Sequence, residues 1–142
     1  MLKDFEKGLD CIREVEVLET ELATIRKSFK PFIQYDEELD CIRVVTADCS
    51  VTEVQLQNSP LVLLERNHIE DGQARFIGFH IEGGRKLCKE NDLKSKGLVS
   101  VSDILLFISL KNSQPRVKAA IREIANPILQ DNHIDQFEFP PA

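Results

Sequence analysis

Residues 35–44 read YDEELDCIRV, and residues 78–81 read GFHI. Between them, residues 52–57 alternate polar and apolar side chains as a half-buried strand does. Residues 61–64 read LVLL, a continuous apolar run that is typical of a central strand covered on both sides. Polar turns containing Asn, Pro, Asp and Gly separate these runs. The pattern predicts a curved antiparallel β-meander over residues 33–82.

The sequence before this segment predicts a long amphipathic helix. Apolar residues recur at alternating steps of three and four from Phe5 to Phe29, which places them on one helical face. The Lys30-Pro31 pair ends the pattern, because proline disfavours a helical conformation of the residue before it. We expect this helix over residues 1–30. At ~1.5 Å per residue it would be roughly 40 Å long, more than a small sheet covers, so it also predicts a homodimer.

The sequence after the meander predicts a helical region over residues 84–130. A short helix is expected over residues 85–91. Ser100-Val101-Ser102-Asp103 resembles a capping box at a helix start. The segment that follows, residues 104–110, is apolar almost all the way round. It therefore predicts a helix that is buried centrally or in an interface.

Pro115 is well placed at the first position of a further helix, whose apolar stripe continues to Ile128. Residues 131–142 are predicted to be a loose tail. Together these segments predict one α+β domain over residues 1–142. In it, the curved antiparallel β-meander is flanked by the long N-terminal helix and by a C-terminal group of two or three helices.

Composition narrows the class of protein. The chain has 142 residues and a formal net charge of -6, with 42% hydrophobic and 30% charged residues. This balance is that of a folded domain, and the negative charge argues against nucleic acid as a partner. The start lacks a secretory signal and no apolar run reaches membrane-spanning length, so we expect a cytoplasmic protein with no membrane partner. The four cysteines form no C-x-x-C pair and are expected to be free.

The segment from Tyr35 to Ile81 is similar to a known family. Its Tyr35-Asp36 start, its acidic-glycine turn at Asp71-Gly72 and its Gly78-x-x-Ile81 final strand resemble a small bacterial domain-of-unknown-function family, the 2283 family. The turn at residues 67–70 is longer than the family's usual one, and both helical regions lie outside the resemblance. The resemblance implies the β-meander and brings no catalytic residue.

Four side chains of the sheet are the candidates for a catalytic site. Strand alternation places His80 on a face where Cys41 can also point, and a Cys-His pair could supply a nucleophile or a metal site. Tyr35 and Asp36 begin the same sheet. The structural interpretation of each is simpler, because acidic residues at a strand entry commonly cap a turn and a lone histidine commonly lies at the surface. We therefore assign no catalytic residue and keep these four as candidates.

Two binding sites are further alternatives. Gly83, Gly84 and Arg85 lie between a strand and a helix, and could offer amides and positive charge to a phosphate. The pattern lacks the glycine spacing of a P-loop, and a plain strand-to-helix turn explains it more simply. The ligands of a metal site would be Cys41, Cys49, His68 and His80. No diagnostic spacing supports them, and we expect neither a metal nor a cofactor.

The sequence predicts a non-catalytic cytoplasmic interaction or regulatory protein that acts through oligomerisation or partner binding, with a homodimer as the expected state. A small enzyme or ligand-binding protein with a site near His80, Cys41 and Tyr35 is the first alternative. The second is a DNA-binding regulator that uses the C-terminal helix pair as a helix-turn-helix, with basic residues of the last helix facing phosphates. The apolar first helix of that pair and the negative net charge oppose DNA binding.

Overall fold

The computed structural model describes residues 29–141. The chain divides into two units, Met1–Lys30 and Pro31–Ala142, and the second contains all the described strands and helices. The single domain predicted over residues 1–142 includes residues 1–28, which lie outside the described residues.

Five strands form one antiparallel sheet within the second unit. They are β1 Phe32–Asp36, β2 Cys41–Val45, β3 Val51–Gln55, β4 Leu61–Arg66 and β5 Phe76–Glu82. Each forms where the sequence alternates or runs apolar between polar turns. The antiparallel sheet that the sequence predicts is therefore confirmed.

The order of the strands differs from that of a meander. Neighbours run β1-β2-β5-β4-β3, so β1 and β2 are adjacent and β3, β4 and β5 follow one another, but β3 does not lie beside β2. Residues 46–50 carry the chain from the centre to the far edge, because β2 is apolar enough to be central whereas β3 exposes Thr52, Glu53 and Gln55. A strand with charged and polar side chains suits an edge.

Among the described residues, four α-helices, a π-helical turn and a second, two-stranded sheet follow the five-stranded sheet. The helices are α1 Gly84–Glu90, α2 Val101–Lys111, α3 Pro115–Ala120 and α4 Asn126–Asp131, with the π-helical turn Ile121–Ala125 joining the last two. Strands β6 Gly97–Ser100 and β7 Gln136–Phe139 pair antiparallel as a separate two-stranded sheet. Among residues 29–141, no helix is both long and apolar enough to cross a membrane.

The architecture predicted around a long N-terminal helix needs correction. The described elements begin with β1, and the longest helix among them is α2, which has 11 residues and lies in the C-terminal half. The helix predicted over residues 1–30 falls almost entirely on residues 1–28, outside the described residues. The fold that the structure shows is α+β, with the sheet accompanied by C-terminal helices.

The predicted loose tail is also corrected. Residues 136–139 form β7, and its alternation buries Phe137 and Phe139 while Gln136 and Glu138 stay exposed. The two buried rings meet edge to face, with centroids 4.8 Å apart. The partner strand β6 lies within the region predicted to be helical, and it begins at Gly97, whose φ is +69°. A strand of four residues contains too few alternating positions to be predicted from the sequence without its partner strand.

The sheet has two distinct faces. Register places one set of side chains together on the face that packs against the helices: Ile33, Tyr35, Ile42, Val44, Leu61, Leu63, Phe79 and Ile81. We call this the helix face. The alternate residues lie on the second face, where Val62 and Leu64 are buried beside Arg43 and His80.

Candidate functional site

The turn between β1 and β2 holds the Asp40 carboxylate at the start of α1. Oδ1 accepts hydrogen bonds from the Tyr35 hydroxyl at 2.7 Å and from the Arg85 amide at 2.8 Å, and Oδ2 accepts one from the Lys86 amide at 3.2 Å. Burial opposes ionisation of Asp40, but these donors and the Arg85 charge outweigh it and hold its pKa below the ordinary value. Asp40 thus caps a helix that begins more than forty residues later.

The Arg85 side chain connects the five-stranded sheet to the end of β7. Its guanidinium carbon lies 5.4 Å from the centre of the Tyr35 ring and 5.2 Å from that of Phe139, in cation-π geometry. One terminal nitrogen donates to the carbonyl of Pro140, and the other lies 4.0 Å from the Glu37 carboxylate. The side chain is only 13% exposed. These contacts fix the end of β7 against β1.

The Gly83-Gly84-Arg85 segment forms the turn from β5 into α1. Gly83 adopts a φ of +63°, which glycine allows without strain, and it precedes a helix of seven residues. The amides in the first turn of α1 that a phosphate would need are hydrogen-bonded to Asp40, whose negative charge would also repel an anion. Ligand binding at this segment stays a prediction, and the geometry favours the plain strand-to-helix turn.

The four candidate catalytic residues are divided between the two faces of the sheet. Tyr35 is directly opposite Ile42 and lies on the helix face. Cys41 is opposite Asp36 on the second face, and His80 lies on that face in the adjacent strand β5, diagonal to Cys41. The structure therefore brings Cys41, Asp36 and His80 to one face and places Tyr35 on the other.

The protonation states of Cys41 and His80 do not suit a thiolate-imidazolium pair. Burial raises the pKa of the Cys41 thiol. Burial and the positive charge of Arg43 lower the pKa of His80, although the Glu53 carboxylate lies 3.8 Å from its Nδ1. At neutral pH the two groups are a thiol and a neutral imidazole. This pair lacks the thiolate that nucleophilic catalysis by cysteine requires.

The same reasoning predicts the order in which the described thiols react. Burial raises the pKa of Cys88 to about 11, whereas Cys49 is partly exposed beside the Arg66 guanidinium at 3.5 Å. In folded protein at pH 8, we expect iodoacetamide to modify Cys49 at least ~10-fold faster than Cys41 or Cys88. Peptide mass spectrometry gives the three rates, and denatured protein serves as the control in which they converge. Equal rates for Cys49 and Cys88 in the folded state would contradict the described burial.

The residues named as metal ligands are not gathered into a site. Across residues 29–141, no group of three His, Cys, Asp or Glu side chains is arranged to hold a metal ion. Cys49 contacts Arg66, and His80 lies between Arg43 and Glu53. Positive side chains next to two of the candidates disfavour a cation there.

A cavity of about 880 Å³ lies between β1 and the segment that joins α4 to β7. Asp135 at its edge accepts hydrogen bonds from the Ser102 amide at 2.8 Å, the Ser102 hydroxyl at 3.1 Å and the Ser100 hydroxyl at 2.5 Å. Asp135, and not the predicted capping box, therefore caps α2. The three donors satisfy its carboxylate. Sequence reasoning missed Asp135 because it lies more than thirty residues after the helix start that it caps.

The outer face of α2 is an exposed apolar surface on the helix that the sequence predicts to be buried centrally or in an interface. Ile104, Leu105 and Ile108 face the core, whereas Leu106 and Leu110 are 58% and 72% exposed. Phe107 is partly exposed between them, with the Lys111 ammonium 5.8 Å from its ring centre. The apolar pattern all round this helix indicated such a surface, because the core of a monomer covers only one side of a helix at its surface.

The C-terminal helix pair expected in a DNA-binding regulator is present as helices α2 and α3. The basic side chains Arg116, Lys118 and Arg122 are exposed, and Arg122 lies 3.3 Å from the carboxylate of Glu123. That ion pair reduces the positive charge available to phosphates. In a helix-turn-helix the first helix crosses the DNA backbone, whereas the exposed side chains of α2 include Leu106 and Leu110, which cannot pair with phosphates.

Comparison with protein-family models, curated proteins and solved structures finds no match to this chain. The resemblance of residues 35–81 to the small bacterial family therefore stays a prediction.

Proposed function

We propose that this protein is a non-catalytic interaction protein that binds a protein, either another chain or a copy of itself, through the outer face of α2. The observation that carries the proposal is the exposure of Leu106 and Leu110 on consecutive turns of one helix. Apolar side chains that adjoin one another on a surface mark contact sites more often than single ones do.

The patterning of α2 supports this function. Its inner side chains complete the core, and its outer side chains are leucines and a phenylalanine where a surface helix normally carries charged residues. Removing both leucines from water on binding is favourable in proportion to the area covered. The outer face of α2 thus has the apolar composition of a protein interface although its side chains are exposed to solvent.

The division of the candidate catalytic residues also supports a non-catalytic function. Tyr35 hydrogen-bonds Asp40 on the helix face, while Cys41 and His80 are on the second face. General acid-base or nucleophilic catalysis needs its groups within hydrogen-bond reach of one substrate. Cytoplasmic location is part of the proposal, and the free thiols Cys41, Cys49 and Cys88 support it because reducing compartments keep thiols unpaired.

Site-specific photo-crosslinking in cells that produce the protein tests this function. A benzophenone amino acid placed at Leu106 or Leu110 is expected to form covalent adducts with a protein. The same amino acid at exposed Arg122 is the matched control, expected to form few adducts. An absence of adducts at both leucine positions, or equal yields at Arg122, would refute the proposal.

A further inference from the structure

We infer that the occupant of the α2 outer face is a second copy of this chain, with the two α2 helices packed antiparallel. The inference rests on the proposed function and names the partner. Asp103, Leu106 and Leu110 follow one another at steps of three and four, so they share one side of the helix. The apolar centre of this side has an acidic residue at one end and Lys111 at the other.

This distribution of charge is complementary to itself in the antiparallel arrangement. A two-fold axis near Phe107 places Asp103 of one copy against Lys111 of the second copy, and symmetry creates the pair twice. A parallel arrangement would instead set like charges at the same level, which disfavours association. Among the described residues, Asp103 and Lys111 take part in none of the ion pairs. The Lys111 ammonium lies 5.8 Å from the centre of the Phe107 ring, close to the proposed axis, where it can also pair with a carboxylate of the second copy.

The surface beside Asp103 has room for an apolar side chain of the second copy. Leu98 is 53% exposed there, at the edge of a cavity of about 460 Å³ that also includes Leu93, Ile104 and Asp103. In the antiparallel pair, the C-terminal end of the second copy's α2 reaches this end of the first. Leu110 of the second copy, the most exposed of these leucines, then faces the cavity.

The size of the surface sets the expected strength of the dimer. Stable interfaces cover roughly 800 Å² on each partner, and one helix face with a neighbouring groove covers less. We therefore expect a dimer that dissociates in the micromolar range on dilution. Such an equilibrium is accessible to sedimentation equilibrium, which measures the dissociation constant of full-length protein directly.

Charge reversal tests the antiparallel arrangement. Asp103→Lys alone and Lys111→Asp alone each create two like-charge pairs, and each is expected to weaken the homodimer about tenfold. An equimolar mixture of the two variants restores both attractive pairs, so a heterodimer with wild-type affinity is expected. Lys118→Asp, on an exposed position of α3, changes the net charge by the same amount as Lys111→Asp and should leave the dimer unchanged. Thermal unfolding of every variant confirms that the fold is retained.

The outcomes separate this inference from the proposed function. Wild-type protein that stays monomeric while Leu106 crosslinks to a different chain would overturn the homodimer and leave the interaction function standing. A dimer whose two charge variants gain nothing on mixing would overturn the antiparallel arrangement. Monomeric protein without crosslinks at Leu106 or Leu110 would overturn both.

Discussion

Gly78→Ala is expected to lower the free energy of unfolding by about 3 kcal/mol or more. Gly78 lies in β5, opposite Val45 of β2. A Cβ atom added there would lie 2.0 Å from the carbonyl oxygen of Val44, a backbone atom of a central strand that cannot rotate away. The two strands would have to separate, and the hydrogen bonds between them would lengthen. Urea unfolding followed by circular dichroism measures the loss.

Gly72→Ala is the matched control for this prediction. Gly72 lies in the loop between β4 and β5, has a φ of +82° and has open space around its Cβ position. Alanine there meets only backbone strain, so a loss of about 1 kcal/mol is expected. If both substitutions cost the same, steric contact with Val44 does not determine the requirement for glycine at position 78.

Local patterns predicted the strands because the signal for each lies within it. The alternation of residues 52–57 and the apolar run of residues 61–64 correspond to β3 and β4, with boundaries shifted by one or two residues. Strand order carries no such local signal. Strand order depends on which strands are covered on both faces. For β2 this is known only from the structure, where Cys41 and Ile42, on opposite faces of the strand, are both buried.

The caps could not be predicted, and the α2 surface was predicted only as one of two alternatives. Asp40 and Asp135 each satisfy amides far away in the sequence, and a capping motif describes only neighbours. For α2, the pattern of residues 104–110 predicted burial centrally or in an interface, and Leu106 and Leu110 are exposed in this chain. A pattern that is apolar all round does not show which side the chain itself covers.

Asp40→Asn is expected to lower the free energy of unfolding by about 2 kcal/mol at pH 7. Asparagine keeps the size of the side chain and tolerates the φ of +47° at this position, but it has one acceptor oxygen where the carboxylate has two. The Tyr35 hydroxyl and the first amides of α1 then compete for it. Tyr35→Phe, which removes one donor, should cost about 1 kcal/mol, and the double variant should cost less than the sum.

The pH dependence of this loss distinguishes the carboxylate charge from the shape of the side chain. The pKa of Asp40 is lower in the folded state than its ordinary value of 3.8, so ionised Asp40 stabilises the fold above that value. This stabilisation disappears as the pH falls through the folded-state pKa, because the protonated group loses the charge that the amides and Arg85 favour. The difference between wild type and Asp40→Asn should therefore be constant from pH 7 to pH 5 and shrink below pH 3.8. Urea unfolding across this range measures the difference, and a gap that persists undiminished in acid would mean that size or geometry, and not charge, makes aspartate necessary here.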